Sequence, residues 1–320
     1  MPHVSVVVPA RDAAAYIGRL LAALDGQDAA GGSEVIVVDN GSRDETAELA
    51  EAAPAVDRVL RRSRGEGPGA ARNAGAAVAR GEVLAFLDAD CWPAPGWLRA
   101  GVEVMRSSDV LQGRVLPDPA ITPGPFDRTL TVNDAHGLFE SANLFTRREL
   151  LEEVGGFPVG LESAGASGSA GQPFGEDVVF GWRARRAGAR TAFCAEALAY
   201  HAVFRRGPAA FVLERARLRY FPELARQVPE LRDAFFYRRY FHGRRSAAFD
   251  LAVVGVLAGV ATRRRLALLG AAPYLSLLGR DVRRWGRRRA PLVAAIVAAG
   301  DGVGALALLR GSLVAGTLLL

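Results

Sequence analysis

The stretch Leu84–Gly96, LAFLDADCWPAPG, decides the fold. Its first four residues are apolar, and two carboxylates, Asp88 and Asp90, follow at once. A short apolar run closed by turn residues reads as a strand buried on both faces. An unpaired charge left there is costly. The two acids therefore need a partner at the strand end: a cation, an arginine or water.

Working toward the N-terminus, the same kind of run recurs between helical patterns. VSVVVPA (Val4–Ala10) and EVIVVDNGSRD (Glu34–Asp44) read as strands ending in turn residues, and VLRRSRG as a short third strand. Ala13–Gly26, RDETAELAEAA and Gly69–Arg80 carry helical spacing. Such alternation predicts an α/β fold with helices on both faces of a mostly parallel sheet. Ligands bind beyond the carboxyl ends of such strands, which puts Pro9, Asp39 and Asp88–Asp90 on one rim. Downstream, VLQGRVLPD reads as a strand and ESANLFTRRELLEEVGGFP as a strand running into a helix. LESAGASGSAGQPFG reads as a mobile loop, EDVVFGWRARRAG as a helix and RTAFCAEALAYH as a last strand.

All 40 basic residues are arginine, the mark of a GC-rich coding sequence rather than a chemical choice. Residues 1–200 hold 19 Arg against 27 Asp and Glu; residues 201–320 hold 21 against 7. An acidic first part joined to a basic, apolar tail implies two jobs, the tail facing an anionic surface. Cys91 and Cys194 fit no metal spacing and no disulfide framework, so a reducing compartment is expected. MPHVSVVVPARD lacks the charged and long apolar segments of a secretory leader.

Asp-X-Asp at a strand end suits Mg²⁺ or Mn²⁺ with a phosphate ligand, although any loop can hold two acids. GEGPGAARN resembles a dinucleotide fingerprint, but it follows RRSR rather than the first buried strand, so that reading is set aside. Its glycines at a helix start still allow close approach to a phosphate, with Arg72 adding charge; the plainer role for Arg72 is an ion pair. Glu176 and Asp177 open a helix, where acids are favoured anyway. Beside a flexible loop, they also suit a general base. His201 matters only if it reaches the same ion as the aspartates.

Taken in order, VSVVVPARD, VIVVDNGSRDET, GPGAARNAG, VLAFLDADCWP, SANLFTRRELLEEVGGFP and GEDVVFGWRARRAG resemble the inverting family-two glycosyltransferases of the GT-A fold, of bacterial type, over roughly residues 3–201. The resemblance implies a nucleotide-diphospho-sugar transferase fold with a divalent metal, Mg²⁺ or Mn²⁺. It implies that Pro9, Ala10, Arg11 and Asp39 bind the nucleotide base and ribose, with Arg72 near the diphosphate. Asp90 would hold the metal, Asp88 would lie near ribose and metal, and His201 would be a further metal contact. Asp177 would be the catalytic base with Glu176 beside it, and Asn143, Arg147 and Arg148 would face the acceptor side. Asn40 stands where family members often have a second acid, and Ala10-Arg11-Asp12 replaces the usual pair after Pro9. There is no QXXRW motif, which argues against a processive polymerase.

The expected organisation is a catalytic domain over 1–205, an amphipathic arginine- and aromatic-rich linker over 206–246, and hydrophobic membrane-associated helices over 247–320. Ala247–Ala261 and Leu266–Gly279 are each about 22 Å long as helices, short of the ~30 Å of a bilayer core. The last segment is long enough but holds Asp301 and Arg310, which are costly in lipid. Expected partners are a nucleotide-diphosphate sugar, an unidentified acceptor for which the apolar tail suggests a lipid-linked form, and membrane lipids at the cytoplasmic face, with no nucleic acid. The activity implied is sugar transfer with inversion for cell-envelope glycan or glycolipid synthesis. The alternative is a catalytically silent nucleotide-sugar-binding or scaffold protein. A nucleotidyltransferase would open with a glycine-rich loop where this chain has PARDAAA.

Overall fold

The computed structural model describes residues 3–28, 31–63, 65–159 and 174–320. The glycine- and serine-rich loop of the sequence reading lies almost wholly in 160–173, outside the described residues. The chain divides into two compact units, one of residues up to 122, 129–159 and 174–204, the other of 123–128 and 205–320.

In the first unit an eight-stranded sheet runs β3-β2-β1-β4-β7-β6-β8-β5. β1 (Val4–Ala10), β2 (Ser33–Asp39), β3 (Arg58–Arg61) and β4 (Val83–Leu87) are parallel. Helices on the sheet faces keep β1, β2 and β4 almost continuously apolar, while the edge strand β3 carries exposed arginines at both ends. α1 (Ala14–Asp25) turns Ile17, Leu20, Leu21 and Leu24 to the core. α2 is Thr46–Glu51 and α3 is Pro68–Val78. α3 reaches the sheet closely because Gly75 lies against Val7 and Val38, where a Cβ would collide. The one polar side chain inside β1, Ser5, is satisfied: its hydroxyl donates to Glu34 at 2.6 Å and accepts the Gly81 N–H at 2.9 Å.

β4 stops at Leu87, where the apolar run ends, so Asp88 and Asp90 lie beyond it. Cys91–Pro93 forms a short strand, β5, and Trp97–Met105 a helix, α4, that the sequence reading passes over. β6 (Val110–Pro117) is followed by β7 (Asn143–Arg147), α5 (Arg148–Glu153), α6 (Glu176–Arg186) and β8 (Thr191–His201). β7 is antiparallel to both β4 and β6, which makes the sheet mixed. β6 and β8 are parallel to each other, so Pro117 and His201 end at the same rim as Leu87.

The reversal of β7 corrects the acceptor-side reading. Asn143 pairs with Leu87 at the rim, but Arg147 pairs with Val83 at the other end of the strand. Four residues at ~3.3 Å each put about 13 Å between them. Arg147 binds Asp109 at 3.2 Å and the Met105 carbonyl at 2.8 Å; Arg148 binds the Gly81 carbonyl at 3.1 Å and Glu152 at 3.0 Å. Both arginines are fastened to the far edge of the sheet.

Asn143 is at the rim end but wholly buried. The β6–β8 ladder shifts register between Gly113 and Arg114, and such a bulge leaves backbone groups without ladder partners. The Asn143 amide donates to the Arg114 and Ala197 carbonyls at 2.9 and 2.8 Å, and its oxygen accepts from the Trp97 indole at 2.8 Å. It closes the bulge and is unavailable to an acceptor.

In the second unit α7 (Pro208–Glu214), a 3-10 segment (Arg215–Tyr220), α8 (Phe221–Gln227) and α9 (Leu231–Ala234) precede α10 (Arg244–Thr262). A 3-10 segment, α11 (Ala272–Val282), a further short turn and α12 (Gly286–Ala315) complete it. The residues expected to form a linker pack onto α12 within this unit. Gly300 meets Phe211, Gly304 meets Leu218, and Gly311 touches the Arg219 backbone. The glycines at these positions let the backbones approach. Asp301, inside α12, accepts from Arg245 at 2.7 Å and the Tyr274 hydroxyl at 2.8 Å.

Replacing Asn143 with alanine should strand carbonyls and an indole N–H, and lower unfolding free energy by about 2–3 kcal/mol. Urea titration measures this; a midpoint equal to wild type would contradict the structural role.

Candidate active site

The site grows from one buried guanidinium. Arg72 lies in α3, whose first turn follows Gly67 (φ +89°) and Pro68. Its side chain is 4% exposed. One amino group donates to Asp88 at 2.6 Å and the other faces Glu176 at 3.4 Å. Asp88 follows β4 and Glu176 opens α6, so one cation ties two acids 88 positions apart. Burial opposes the charge on Arg72, but Asp88, Glu176 and Asp177 together outweigh it and hold the group protonated above its ordinary value. Phe157 flanks the guanidinium and stacks edge-on with Phe86, which keeps this side of the site apolar.

Asp177, in the first turn of α6, is held at both oxygens. Ser141 donates its N–H and hydroxyl to Oδ2 at 3.3 and 3.4 Å, and the Val178 N–H donates to Oδ1 at 2.9 Å. Burial and the neighbouring Glu176 charge push its carboxyl up to about 7, against the pull of Arg72 and the Ser141 N–H.

Ser141 enters β7 from the rim, and beside it stands a residue the sequence reading did not name. Glu140 has a side chain 15% exposed. One oxygen lies 3.3 Å from His136, and the other is buried without a hydrogen-bond partner among the described residues. Burial, then the charges of Asp177 and Asp134, push it up to about 8. It is therefore a neutral acid at neutral pH, able to donate an O–H. The motif SANLF draws attention to Asn143; the residues of that segment beside Asp177 are Glu140 and Ser141.

The remaining expected residues divide. Pro9 and Ala10 end β1, and Ala10 is buried. Asp39 ends β2 and accepts the Ser42 N–H at 3.1 Å. Asn40 donates to the Gly67 carbonyl at 3.1 Å and accepts the Glu66 N–H at 3.3 Å, tethering the turn before α3. Arg11 is exposed and lies over Gly65, where a Cβ would strike its guanidinium.

Asp90 and His201 meet: Nε2 lies 3.7 Å from Oδ2. His201 Nδ1 donates to the Ala202 carbonyl at 2.6 Å, which leaves the Nε2 lone pair toward Asp90. At 3.7 Å the two are too far apart to hydrogen-bond, a separation suited to two ligands of one ion. The third potential ligand in this cluster is Cys91, not Asp88, which is taken up by Arg72. The donor set thus fits a divalent cation, with Asp88 beside it rather than in it.

Residues 5–157 match the family described as glycosyl transferase family 2. It is 34% identical over 179 residues to glycosyltransferase AglE of Haloferax volcanii, covering 52% of this chain and 59% of that protein. The chain spans 42% to 59% of the length of the first curated relatives it matches. The fold is shared with Staphylococcus aureus TarS 1–349 in complex with UDP-GlcNAc (TM-score 0.51, 21% identity, 99% of this chain and 93% of that one). It is shared too with the mannosyltransferase PcManGT of Pyrobaculum calidifontis in complex with GDP-Man and Mn²⁺ (TM-score 0.56, 20% identity, 97% and 87% covered).

A carboxyl raised on folding keeps its proton where the unfolded chain has lost it. Asp177 therefore erodes stability as pH climbs from about 4 toward 7. The melting temperature of Asp177→Asn relative to wild type should rise across that window and level off above it. A difference independent of pH would contradict the burial of this carboxyl.

Proposed function

We propose that this protein is a glycosyltransferase that moves a sugar from a nucleotide-diphosphate sugar to an acceptor hydroxyl, with inversion and with help from a divalent cation. The observation that carries the reading is Arg72, bonded to Asp88 on one side and facing Glu176 on the other. It gathers the strand-end acids and the helix-start acids into one site.

The first three parallel strand ends, with Pro9, Ala10, Arg11 and Asp39, would take the nucleoside, and Asp88 the ribose side. Asp90 and His201 would hold the divalent cation. When bound, such an ion neutralises the charge that grows on a departing diphosphate. Asp177 takes the proton of the acceptor hydroxyl. A carboxyl raised to about 7 is suited to this near neutral pH. Glu140, still protonated there, can donate a hydrogen bond to the same hydroxyl-bearing ligand while His136 fixes its other oxygen. A single displacement with the base opposite the leaving group inverts the anomeric configuration. The family resemblance in the sequence points to a cell-envelope glycan or glycolipid as the acceptor.

We also propose that the second unit sits in a membrane. Arg244–Thr262 and Arg265–Ala315 are each long and apolar enough to cross a bilayer. Within the unit, Val254, Val260 and Leu313 are 62%, 74% and 78% exposed. Water would penalise such a surface and lipid would not. The charges of Arg245 and Asp301 are paired inside the unit. Arg245 at the start of α10 pairs with Asp281 at the end of α11, so the arginines at 283–289 lie at the opposite end of α10 from those at 263–265. The larger cluster, 283–289, would meet anionic headgroups at the cytoplasmic face.

With a panel of nucleotide sugars and membrane extract as acceptor, Asp177→Asn should keep donor binding and lose transfer by at least about a hundredfold. Wild-type turnover should fall below an apparent pKa of about 7. Near-normal turnover in Asp177→Asn would contradict the base assignment, and catalytically silent wild-type protein would favour the binding or scaffold reading. Separately, the full chain should stay with membranes through an alkaline carbonate wash. Release into the supernatant would contradict insertion.

A further inference from the structure

We propose that Cys91 supplies a sulfur ligand at the Asp90–His201 site, which makes the site selective for a thiophilic divalent ion such as Zn²⁺ or Co²⁺ over Mg²⁺. This rests on the reading that a cation binds there. Spacing along the sequence gives no hint of it, because Cys91 and His201 are 110 positions apart. The sheet brings them together. β5 runs antiparallel to β8 with Cys91 directly opposite His201, and residues paired in this way project from the same face.

The ligand atoms of Asp90, Cys91 and His201 all lie within 4.8 Å of one another. Cys91 Sγ is 3.9 Å from Asp90 Oδ1, and His201 Nε2 is 3.7 Å from Oδ2. The carboxylate therefore turns one oxygen toward each neighbour. A tetrahedral ion with metal–sulfur and metal–nitrogen bonds of about 2.3 and 2.0 Å holds sulfur and nitrogen about 3.5 Å apart, so from 4.8 Å that pair closes by up to about 1.3 Å, while the two carboxylate contacts close by a few tenths of an ångström. His201 is already oriented by its bond to the Ala202 carbonyl.

The set is one oxygen ligand, one nitrogen and one sulfur. Mg²⁺ takes oxygen ligands in an octahedron and sheds water reluctantly. Imidazole and thiolate draw softer ions. Cys91 is wholly buried and His201 is 9% exposed, so few waters can complete a hydrated Mg²⁺ shell on that side. On binding, the thiol exchanges its proton for the ion, and the proton leaves to solvent. Cys194 offers no equivalent: its Sγ lies 3.5 Å from Glu196, outside the cluster.

The test uses the full chain in detergent, titrated with Co²⁺ alone. Wild type should develop a sulfur-to-cobalt charge-transfer absorption in the near ultraviolet along with visible ligand-field bands. Cys194→Ser should keep both. Since the chain has two cysteines, that retention assigns the sulfur to Cys91 even if Cys91→Ser folds poorly. A folded Cys91→Ser should keep the ligand-field bands and lose the charge transfer. Its preference for Zn²⁺ over Mn²⁺, measured by competition, should drop at least about tenfold. Ligand-field bands without charge transfer in wild type would overturn the sulfur ligand and leave a cation on Asp90 and His201. No Co²⁺, Zn²⁺ or Mn²⁺ binding at all would overturn the cation reading and this proposal with it.

Discussion

The buried Arg72 guanidinium is the interaction on which the rest of the site depends. A single arginine in a largely apolar setting must be matched by acids. Asp88 and Glu176 supply the match from opposite parts of the chain. This joins the end of β4 to the start of α6, and it fixes Asp177, the next residue, at the rim. With one positive charge among three acids, the proton that cannot be shed easily falls on Asp177. The same pairing that organises the fold therefore sets the ionisation of the proposed base. Removing Arg72 would leave the buried Glu176 and the part-buried Asp88 without their shared cation, so its plain structural role and its proposed functional role are one.

Much of this is legible in the sequence. Short apolar runs alternating with helical spacing give the parallel half of the sheet, because buried parallel strands show as unbroken Val, Ile and Leu. The rim follows from strand polarity, and so do Asp39, Asp88 and Asp90 on it. What the pattern cannot convey is the direction of a strand entering the sheet from elsewhere. β7 has the same apolar character whichever way it runs. Its reversal moves Arg147 and Arg148 to the far edge and brings Glu140 and Ser141 to the site. Asn143 misleads for a related reason. A polar residue in an apolar strand invites a functional reading, yet here it answers to carbonyls freed by a bulge that no local pattern announces. The Cys91–His201 neighbourhood is hidden in the same way, since it exists only through the β5–β8 pairing.

The two units divide the physical demands. The first concentrates acids at one sheet rim, where a guanidinium, a histidine and helix-start N–H groups compensate them. The second exposes large apolar side chains such as Val254, Val260 and Leu313 and pairs Arg245, Tyr274 and Asp301 in its interior, while its arginines at 263–265 and 287–289 stay exposed.

The account stands most directly on where a cation and a nucleoside diphosphate bind. A crystal structure with Mn²⁺ and a nucleotide sugar, read by anomalous scattering, measures both at once. The account predicts one ion between Asp90 and His201, the diphosphate on its open side, and the Asp177 carboxylate facing the anomeric carbon. An ion bound elsewhere, or an Asp177 carboxylate turned away from the sugar, would contradict it.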